Sequence, residues 1–418
     1  MGRSGRNFLL GCAACIAAAG IGGPAVAERT ETVLHIFFST AGKVPLTGPV
    51  IDSSTGALYG ITSGGGTSNS GVVYQMLPPT GTGTSWAYSV IYNIPSPTGI
   101  TNVLAAGGTV YFNSTNGGSG CCGAVFLLTP PVSGTGDWTP TVLHSFTGGA
   151  NDGVRPVGPL VMDGNGALYG TAFGGGTGCH IFNPPGCGMV FKLTPPNTKG
   201  QPWSFSALYD FPGGKAGQGP EWGVLFDKQG NLYGSAFFDY PNKSLIFKLT
   251  PPSGGGEWAE TVLYRFYPGS TNCWAGGPLA IDANDALYGV NGGTCDYAFQ
   301  LAPSASDPNV WVKTTMHTFS SGIPAGGYGV TAPLAVDSSG NIYGTTRQGG
   351  AGSGGTAYVL RPRPGVAGKW NRKVLFSFGG KSGSSPNGGL VFDSAGAIYG
   401  TTFTGGGSNR GVVFRLSP

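Results

Sequence analysis

The dominant feature of this sequence is a repeated marker, an apolar residue followed by Tyr-Gly. The marker recurs with tyrosine at Tyr59, Tyr169, Tyr233, Tyr288, Tyr343 and Tyr399, and a degenerate Val-Tyr-Phe copy holds Tyr111. With Tyr111 included, successive gaps are 52, 58, 64, 55, 55 and 56 residues. Fixed periods of this size are typical of propellers and solenoids. Seven copies of about 56 residues fill the chain beyond its first 27 residues, so we predict a single domain over residues 28–418.

Each copy contains four short runs of β-branched and aromatic residues bounded by glycine or proline. Such runs predict β-strands, which we label A to D in chain order. Helix-period patterns are absent outside the N-terminal segment. Glycine and proline (79 and 32 of 418 residues) reach a level also seen in disordered chains, but a strict period and 40% hydrophobic residues predict a folded core.

Strand D carries a regularly spaced aromatic pair. A tryptophan stands six residues before an aromatic or histidine partner in six copies: Trp86 and Tyr92, Trp138 and His144, Trp203 and Tyr209, Trp258 and Tyr264, Trp311 and His317, Trp370 and Phe376. An even spacing places both side chains on the same side of a strand. We therefore predict that these pairs pack against the neighbouring sheet.

The seventh strand D lies at the start of the chain. The last copy stops after strand C, while residues 32–37 (Thr-Val-Leu-His-Ile-Phe) align with residues 261–266 of an internal strand D. We predict an all-β, seven-bladed β-propeller with four antiparallel strands per blade. Its last blade is closed by the N-terminal strand pairing beside residues 412–416, which removes an open sheet edge. A β-helix is the rival fold, but its coils are far shorter than this repeat.

The repeat resembles the GloVer tandem repeat of exported bacterial proteins, which use one of several alternative anchors. The third copy carries the motif best: Leu-His-Ser-Phe-Thr-Gly-Gly at 143–149, Asp152-Gly153, Pro156, Gly-Pro-Leu-Val-Met-Asp at 158–163, Leu-Tyr-Gly-Thr at 168–171, Gly174-Gly175 and Val-Phe-Lys-Leu-Thr-Pro at 190–195. The resemblance covers all seven copies and implies export rather than a particular activity. No anchor is evident in the sequence.

The N-terminus predicts export. Arg3 and Arg6 precede an apolar stretch at 8–19, and Ala-Val-Ala at 25–27 matches a signal-peptide cleavage site. We predict a signal peptide at residues 1–27; a lipoprotein motif at residues 9–12 (Leu-Leu-Gly-Cys) is the alternative. No later apolar run has the ~20 residues of a membrane helix. We expect a monomer that is secreted, periplasmic or at the cell surface.

Every cysteine beyond residue 27 falls on one face of the predicted ring. Loops A–B and C–D lie on one face, and loops B–C and D–A lie on the other. We predict disulfides between Cys179 and Cys187 and between Cys273 and Cys295. Cys121 and Cys122 form either a vicinal disulfide or an unpaired reactive couple. A metal site at Cys179, His180 and Cys187 would lack a fourth ligand, so we expect no metal there.

The same face carries the candidate ligand-binding residues. Trp222 and Trp274 fall outside the regular tryptophan positions, and charged residues are expected on the same face: Asp152, Arg155, Glu221 and Asp296. Off-pattern aromatics beside charges are typical of carbohydrate or peptide sites, although they also occur as packing under long loops. On the other face, an Asp is followed three residues later by Gly, as at Asp163, which indicates a turn rather than a calcium site.

The sequence indicates no catalytic residue. His35, His144 and His317 share the aromatic position of strand D, so we interpret them as packing residues. The net charge is +4, from 22 Lys and Arg against 18 Asp and Glu, without the clustered basic face of a nucleic-acid binder. We expect a non-catalytic recognition or scaffold propeller without a cofactor, binding a glycan or an envelope protein through its B–C/D–A face. The alternatives are a glycan hydrolase or lyase, a quinone-dependent dehydrogenase, and a purely structural envelope protein.

Overall fold

The structure is a computed structural model that describes residues 29–38, 40–95, 99–119, 122–132, 134, 136–179, 186–198, 200–238, 243–254, 256–267, 273–275, 277–293, 295–319, 327–330 and 332–418. Its strands form seven antiparallel sheets arranged as the blades of a ring, which confirms the predicted seven-bladed β-propeller. No helix within the described ranges is long and apolar enough to cross a membrane.

The first four blades follow one another along the chain. Blade 1 contains β2 (Lys43–Pro45), β3 (Val50–Ile51), β4 (Leu58–Gly64), β5 (Val72–Leu77) and β6 (Ala87–Asn93). Blade 2 contains β7 (Ile100–Ala106), β8 (Thr109–Ser114), β9 (Ala124–Thr129) and β10 (Thr139–Ser145). Blade 3 contains β11 (Gly153–Met162), β12 (Leu168–Gly175), β13 (Met189–Thr194) and β14 (Ser204–Asp210). Blade 4 contains β15 (Val224–Phe226), β16 (Leu232–Phe237), β17 (Ser244–Thr250) and β18 (Ala259–Phe266).

The remaining three blades complete the ring. Blade 5 contains β19 (Cys273–Ala275), β20 (Ala280–Ile281), β21 (Leu287–Gly293), β22 (Tyr297–Pro303) and β23 (Trp311–Thr318). Blade 6 contains β24 (Ala335–Val336), β25 (Ile342–Thr346), β26 (Thr356–Pro362) and β27 (Trp370–Ser377). Blade 7 contains β28 (Ser384–Pro386), β29 (Val391–Phe392), β30 (Ile398–Thr404), β31 (Val412–Ser417) and β1 (Thr30–Ile36). Single-turn 3-10 helices at Gly214–Ala216 and Gly380–Ser382 precede the innermost strands of blades 4 and 7.

The innermost strand is broken in blades 1, 5 and 7, where the sequence predicts one continuous strand A. In blades 1 and 7 the break lies where two segments of the chain, one from each blade, approach each other closely at the ring axis. A Cβ atom added to Gly48 would lie only 1.9 Å from the carbonyl oxygen of Gly389. Only a residue without a side chain fits this close approach.

The N-terminal strand closes the ring as predicted. β1 pairs antiparallel with β31, with Thr32 opposite Arg415 and Ile36 opposite Val412. Phe37, directly after β1, is fully buried and packs its ring 5.4 Å from the ring of Tyr74 in blade 1. The first strand therefore joins blade 7 by hydrogen bonds and blade 1 by side-chain packing.

The regular tryptophans hold neighbouring blades together, as predicted. Five of them pack on the strand-B tyrosine of the preceding blade, with these ring separations: Trp86 and Tyr399 5.6 Å, Trp138 and Tyr59 6.1 Å, Trp203 and Tyr111 6.3 Å, Trp311 and Tyr233 6.1 Å, Trp370 and Tyr288 6.1 Å. Trp258 packs against the core cluster that contains Tyr169. In blades 3 to 7 the tyrosine hydroxyl in turn donates to the Asp of its own A–B turn, as Tyr399 does to Asp393 at 2.9 Å. The repeated Tyr therefore couples a turn to the next blade.

Arg29 occupies the seventh tryptophan position, six residues before His35. Its guanidinium Nη1 donates to the carbonyl oxygens of Gly396 at 2.8 Å and Leu416 at 3.3 Å. Its backbone N–H donates to the carbonyl oxygen of Leu375 in blade 6. At the closing blade, hydrogen bonds from an arginine thus replace the aromatic contact made elsewhere.

The strand-D histidines pack between blades. His35 stacks on Tyr88 with 3.6 Å between ring centroids, and His144 stacks on Phe205 at 4.3 Å. Burial lowers the pKa of His35 from 6.5 to about 4, and burial together with the charge of Arg372 lowers the pKa of His317 likewise. These contacts support the packing role predicted for the histidines.

Glu260 on the outer strand of blade 4 makes the stability pH-dependent. Its Oε2 accepts a hydrogen bond from the Tyr209 hydroxyl of blade 3, and burial raises its pKa from 4.5 to about 7. The folded state therefore keeps a proton that the unfolded chain loses above about pH 4.5, and this contribution to stability declines as pH rises toward 7. We expect Glu260→Gln to raise the free energy of unfolding by roughly 1–2 kcal/mol at about pH 8, since the side chain is only half-buried.

Denaturant unfolding at two pH values measures this effect. At about pH 4 the wild type is protonated at Glu260, and the gain from Glu260→Gln should vanish. Glu257→Gln, which neutralises an exposed carboxylate three residues earlier, is the matched control. An equal gain at both pH values would contradict the assigned cause.

Candidate functional site: the axial cavity

A cavity of about 580 Å³ lies on the ring axis, and residues of all seven blades line it. This volume falls within the range of small-molecule sites in proteins. The lining comes from the innermost strand of each blade, from the segment directly before it, or from the break within it.

The lining residues form three stacked rings. Each ring consists of the residues that stand at one fixed number of positions before the turn Asp of their blade. Blade 2 has no such Asp, and the pairing of Leu104 with Tyr111 sets its equivalent positions. The first ring, six residues before the Asp, is lined by Leu46, Ile100, Val157, Glu221 and Asn387. The second ring, five before, is lined by Thr47, Thr101, Gly158, Trp222 and Gly388. The third ring, four before, is lined by Gly48, Asn102, Pro159, Pro278, Pro333 and Gly389.

Blade 4 departs from the other blades in two of these rings. Trp222 stands where the equivalent positions of the sequence carry threonine, glycine or alanine, and Glu221 is the single ionisable side chain among the described lining residues. Trp222 remains 38% exposed and borders a second cavity of about 150 Å³ between blades 3, 4 and 5. Its indole therefore has open space beside it for a ligand.

Glu221 is half-buried and makes no hydrogen bond to any described residue. Burial raises the pKa of its carboxyl group, and the positive charge of Arg155 partly offsets that rise. Arg155 itself places its guanidinium carbon 5.0 Å above the ring centre of Phe173. The ion pairs found in the described part of the chain join His144 to Asp152 and Lys192 to Asp163, so Arg155 influences Glu221 without direct contact.

The backbone of Arg155 belongs to the repeating frame. Arg155 has a positive φ of 53°, as do Val44 (59°) and Ser385 (55°) at the same position of blades 1 and 7. The backbone N–H of each donates to a B–C loop carbonyl of the preceding blade, and that of Arg155 donates to Cys122 at 2.7 Å. Only the side chain of Arg155 is therefore available for a role at the cavity.

Asp152 and Asp296 serve the loops and do not line the cavity. The Asp152 carboxylate bonds the His144 ring at 3.0 Å and accepts from the Thr147 backbone N–H at 2.9 Å. The Asp296 Oδ2 accepts a hydrogen bond from the Gly329 N–H of the next blade at 2.6 Å. At the equivalent position of other blades, a backbone carbonyl of the B–C loop accepts this hydrogen bond. These contacts favour a structural role for both carboxylates.

The remaining candidates are only partly visible. Trp274 lies on β19, and its side chain is outside the described residues, as is that of Cys273. The disulfide between Cys179 and Cys187 is present, as predicted. Cys122 and Cys295 are each disulfide-bonded as well. Cys121 and the side chain of Cys273 lie outside the described residues, so the pairings Cys121–Cys122 and Cys273–Cys295 stay predictions. His180 also lies outside the described residues.

The Asp residues of the A–B turns cap their own backbone, as predicted. The Asp163 Oδ1 accepts the backbone N–H groups of Asn165 and Ala167, both at 2.9 Å, while its Oδ2 accepts the Tyr169 hydroxyl. Asp227, Asp337 and Asp393 repeat this pattern. Within the described ranges, no group of three or more His, Cys, Asp or Glu side chains is placed to hold a metal ion.

Glu221 and Trp222 were predicted from the sequence, whereas the lining from the other blades was not. Asn102 and Asn387 supply polar groups to the cavity although neither stood out in its own copy. Counting back from the turn Asp would have aligned Asn387 with Glu221. Asn102 lacked that reference because blade 2 turns through Gly107 and Gly108 without an Asp.

Comparison with known proteins identifies the repeat family. The model of the Gloeobacter/Verrucomicrobia repeat matches residues 25–234, 96–322 and 242–418, so the chain belongs to that family and the GloVer resemblance is confirmed. A comparison with curated protein sequences found no match.

Solved structures share the fold at low sequence identity. A puromycin hydrolase superposes with a TM-score of 0.55 at 12% identity, over 87% of this chain and 50% of the hydrolase, so this chain spans half the length of that protein. A polysaccharide lyase superposes with a TM-score of 0.52 at 13% identity, over 94% of both chains. These likenesses concern the propeller fold.

Proposed function

We propose that this member of the Gloeobacter/Verrucomicrobia repeat family is an exported, non-catalytic recognition propeller that binds a glycan in its axial cavity. The observation that carries the proposal is the pair Glu221 and Trp222. Blade 4 alone places a large aromatic side chain and a carboxylate in rings that are otherwise small, apolar or uncharged along the described lining. A packing residue would follow the repeat, whereas these two interrupt it.

The chemistry of the cavity suits a sugar ring. Sugars present a face of C–H groups that packs on an indole, and their hydroxyl groups bond to carboxylate and amide side chains. Trp222 supplies the indole, and Glu221, Asn102 and Asn387 supply the polar groups. Apolar walls with a few polar groups are typical of small-ligand sites.

Export is part of the proposal and rests on two features. The segment 1–27 has the composition of a signal peptide, and it lies outside the described residues. The disulfide between Cys179 and Cys187 supports an oxidising compartment, because such bonds persist mainly in exported proteins.

A binding assay with Trp222→Ala tests the site. Wild type is applied to an array of neutral, basic and acidic oligosaccharides, and the saccharides retained are measured by titration calorimetry. Because stacking on an aromatic side chain and its desolvation contribute about 2 kcal/mol or more at binding hot spots, we expect Trp222→Ala to weaken affinity by roughly 30-fold or more.

Tyr267→Ala provides the matched control for this assay. Tyr267 is an aromatic residue that is 67% exposed and does not line the cavity. Its loss should leave affinity unchanged. Equal affinity of wild type and Trp222→Ala, or no binding to any saccharide class, would refute the proposed function.

A glycan lyase is the second candidate, and Glu221 is the observation that favours it. A carboxyl group whose pKa is raised by burial is a stronger base than a free carboxylate and can exchange a proton with a substrate. The polysaccharide lyase that shares the fold makes such a reaction compatible with a propeller. A paired-carboxylate hydrolase has less support, since Asp152 and Asp296 do not line the cavity with Glu221. Shortening of the bound saccharides during the same assay would favour the enzyme.

A further inference from the structure

We infer that the axial cavity selects glycans carrying a protonated amine, such as unacetylated hexosamines, through Glu221 and Trp222. This inference rests on the proposed glycan-binding function and names its ligand class. Its first support is charge: Glu221 is the one ionisable side chain among the described lining residues, and neither lysine nor arginine accompanies it there. Its carboxylate accepts no hydrogen bond from the described residues and so can receive a ligand donor.

The second support is the composition of the third ring. It contains Pro159, Pro278 and Pro333, and proline has no backbone N–H. A ligand with acceptor groups, such as a uronate, would therefore find no backbone donor at these three positions. A ligand with donor groups would find the Glu221 carboxylate.

Some backbone carbonyl groups of the rings already accept hydrogen bonds within the protein. Side chains of strand B in the preceding blade donate to them, as the Thr401 hydroxyl does to the Thr47 oxygen at 2.8 Å. The Asn113 amide donates likewise to the Gly158 oxygen at 2.9 Å. As a carboxylate, Glu221 is the strongest acceptor among the described lining residues.

The third support is the adjacency of Glu221 and Trp222 on the same wall. An ammonium group is attracted both to a carboxylate and to the face of an indole, and desolvation strengthens both attractions. A sugar carboxylate in the same place would face Glu221 as a like charge in apolar surroundings. Arg155 does not line the cavity, so it does not occupy the position that the amine would take.

Three matched probes test this inference: oligomers of glucosamine, of N-acetylglucosamine and of glucuronate, of equal length, titrated at about pH 6, where the amines carry protons. We expect the glucosamine oligomer to bind at least about tenfold more tightly than the other two. Glu221→Gln, which keeps the shape and removes the charge, should reduce its affinity by about tenfold. Glu257→Gln removes an exposed carboxylate that does not line the cavity and should leave affinity unchanged.

The outcomes separate this inference from the proposed function. If the N-acetylated or glucuronate oligomer binds as tightly as the glucosamine oligomer and Trp222→Ala still abolishes binding, the amine preference is wrong and the cavity site stands. An unchanged affinity of Glu221→Gln would likewise overturn the preference. If Trp222→Ala changes nothing, the proposed function itself fails. Circular dichroism of each variant confirms that it is folded.

Discussion

Phe37→Ala is expected to lower the free energy of unfolding by about 3–5 kcal/mol, the usual cost of emptying a fully buried phenylalanine site. Phe37 follows the strand that closes the ring, and its ring packs 5.0 Å from that of His35 and 6.1 Å from that of Tyr88. Its loss opens a cavity between blades 7 and 1, next to the hydrogen-bonded pairing of β1 with β31 that closes the ring. Denaturant unfolding followed by tryptophan fluorescence measures the change.

Phe38→Ala is the control, since it removes the same side chain one residue later. Phe38 is 55% exposed, so the substitution should cost less than about 1 kcal/mol. Equal effects of the two substitutions would mean that burial between blades 7 and 1 does not stabilise the closure.

Much of the fold was predictable because the same sequence motifs recur in each blade. The Tyr-Gly marker and the spacing of Trp311 to His317 recur in sequence, so their period alone indicated blades and strand D. The closure through residues 32–37 followed because a strand absent at one end was found at the other. The partners of the repeated side chains were not predictable, because the contact from Trp311 to Tyr233 crosses between blades.

The broken innermost strands show another limit of the sequence. In the sequence Gly48 resembles an ordinary turn glycine, yet its backbone packs closely against that of Gly389, near the other end of the chain. Arg29 likewise has no motif, and its role depends on carbonyl groups of Gly396 and Leu416. Such long-range approaches depend on the closed ring and leave no local pattern.

The site was half predictable for a similar reason. Glu221 and Trp222 interrupt a repeat, and an interruption is visible in sequence. Asp152 and Asp296 were chosen by charge alone, and the structure places their carboxylates in loop hydrogen bonds. The cavity itself joins segments from seven blades, so no single copy indicates it.

The double variant Glu221→Val, Trp222→Ala is expected to lose glycan binding altogether while the ring stays intact. It gives blade 4 the kinds of side chains found in other blades, such as Val157 in the first ring. Neither wild-type side chain is fully buried, so we expect stability within about 1 kcal/mol of wild type. Binding should fall by roughly 100-fold or more, since both the indole and the carboxylate are gone.

We propose that a uniform seven-bladed frame carries its binding site where blade 4 departs from the repeat. Titration calorimetry of wild type and this double variant with the same saccharide, at matched thermal stability, tests the proposal. We expect binding by wild type and none by the folded double variant. Wild-type affinity of a folded double variant would show that the binding site lies elsewhere.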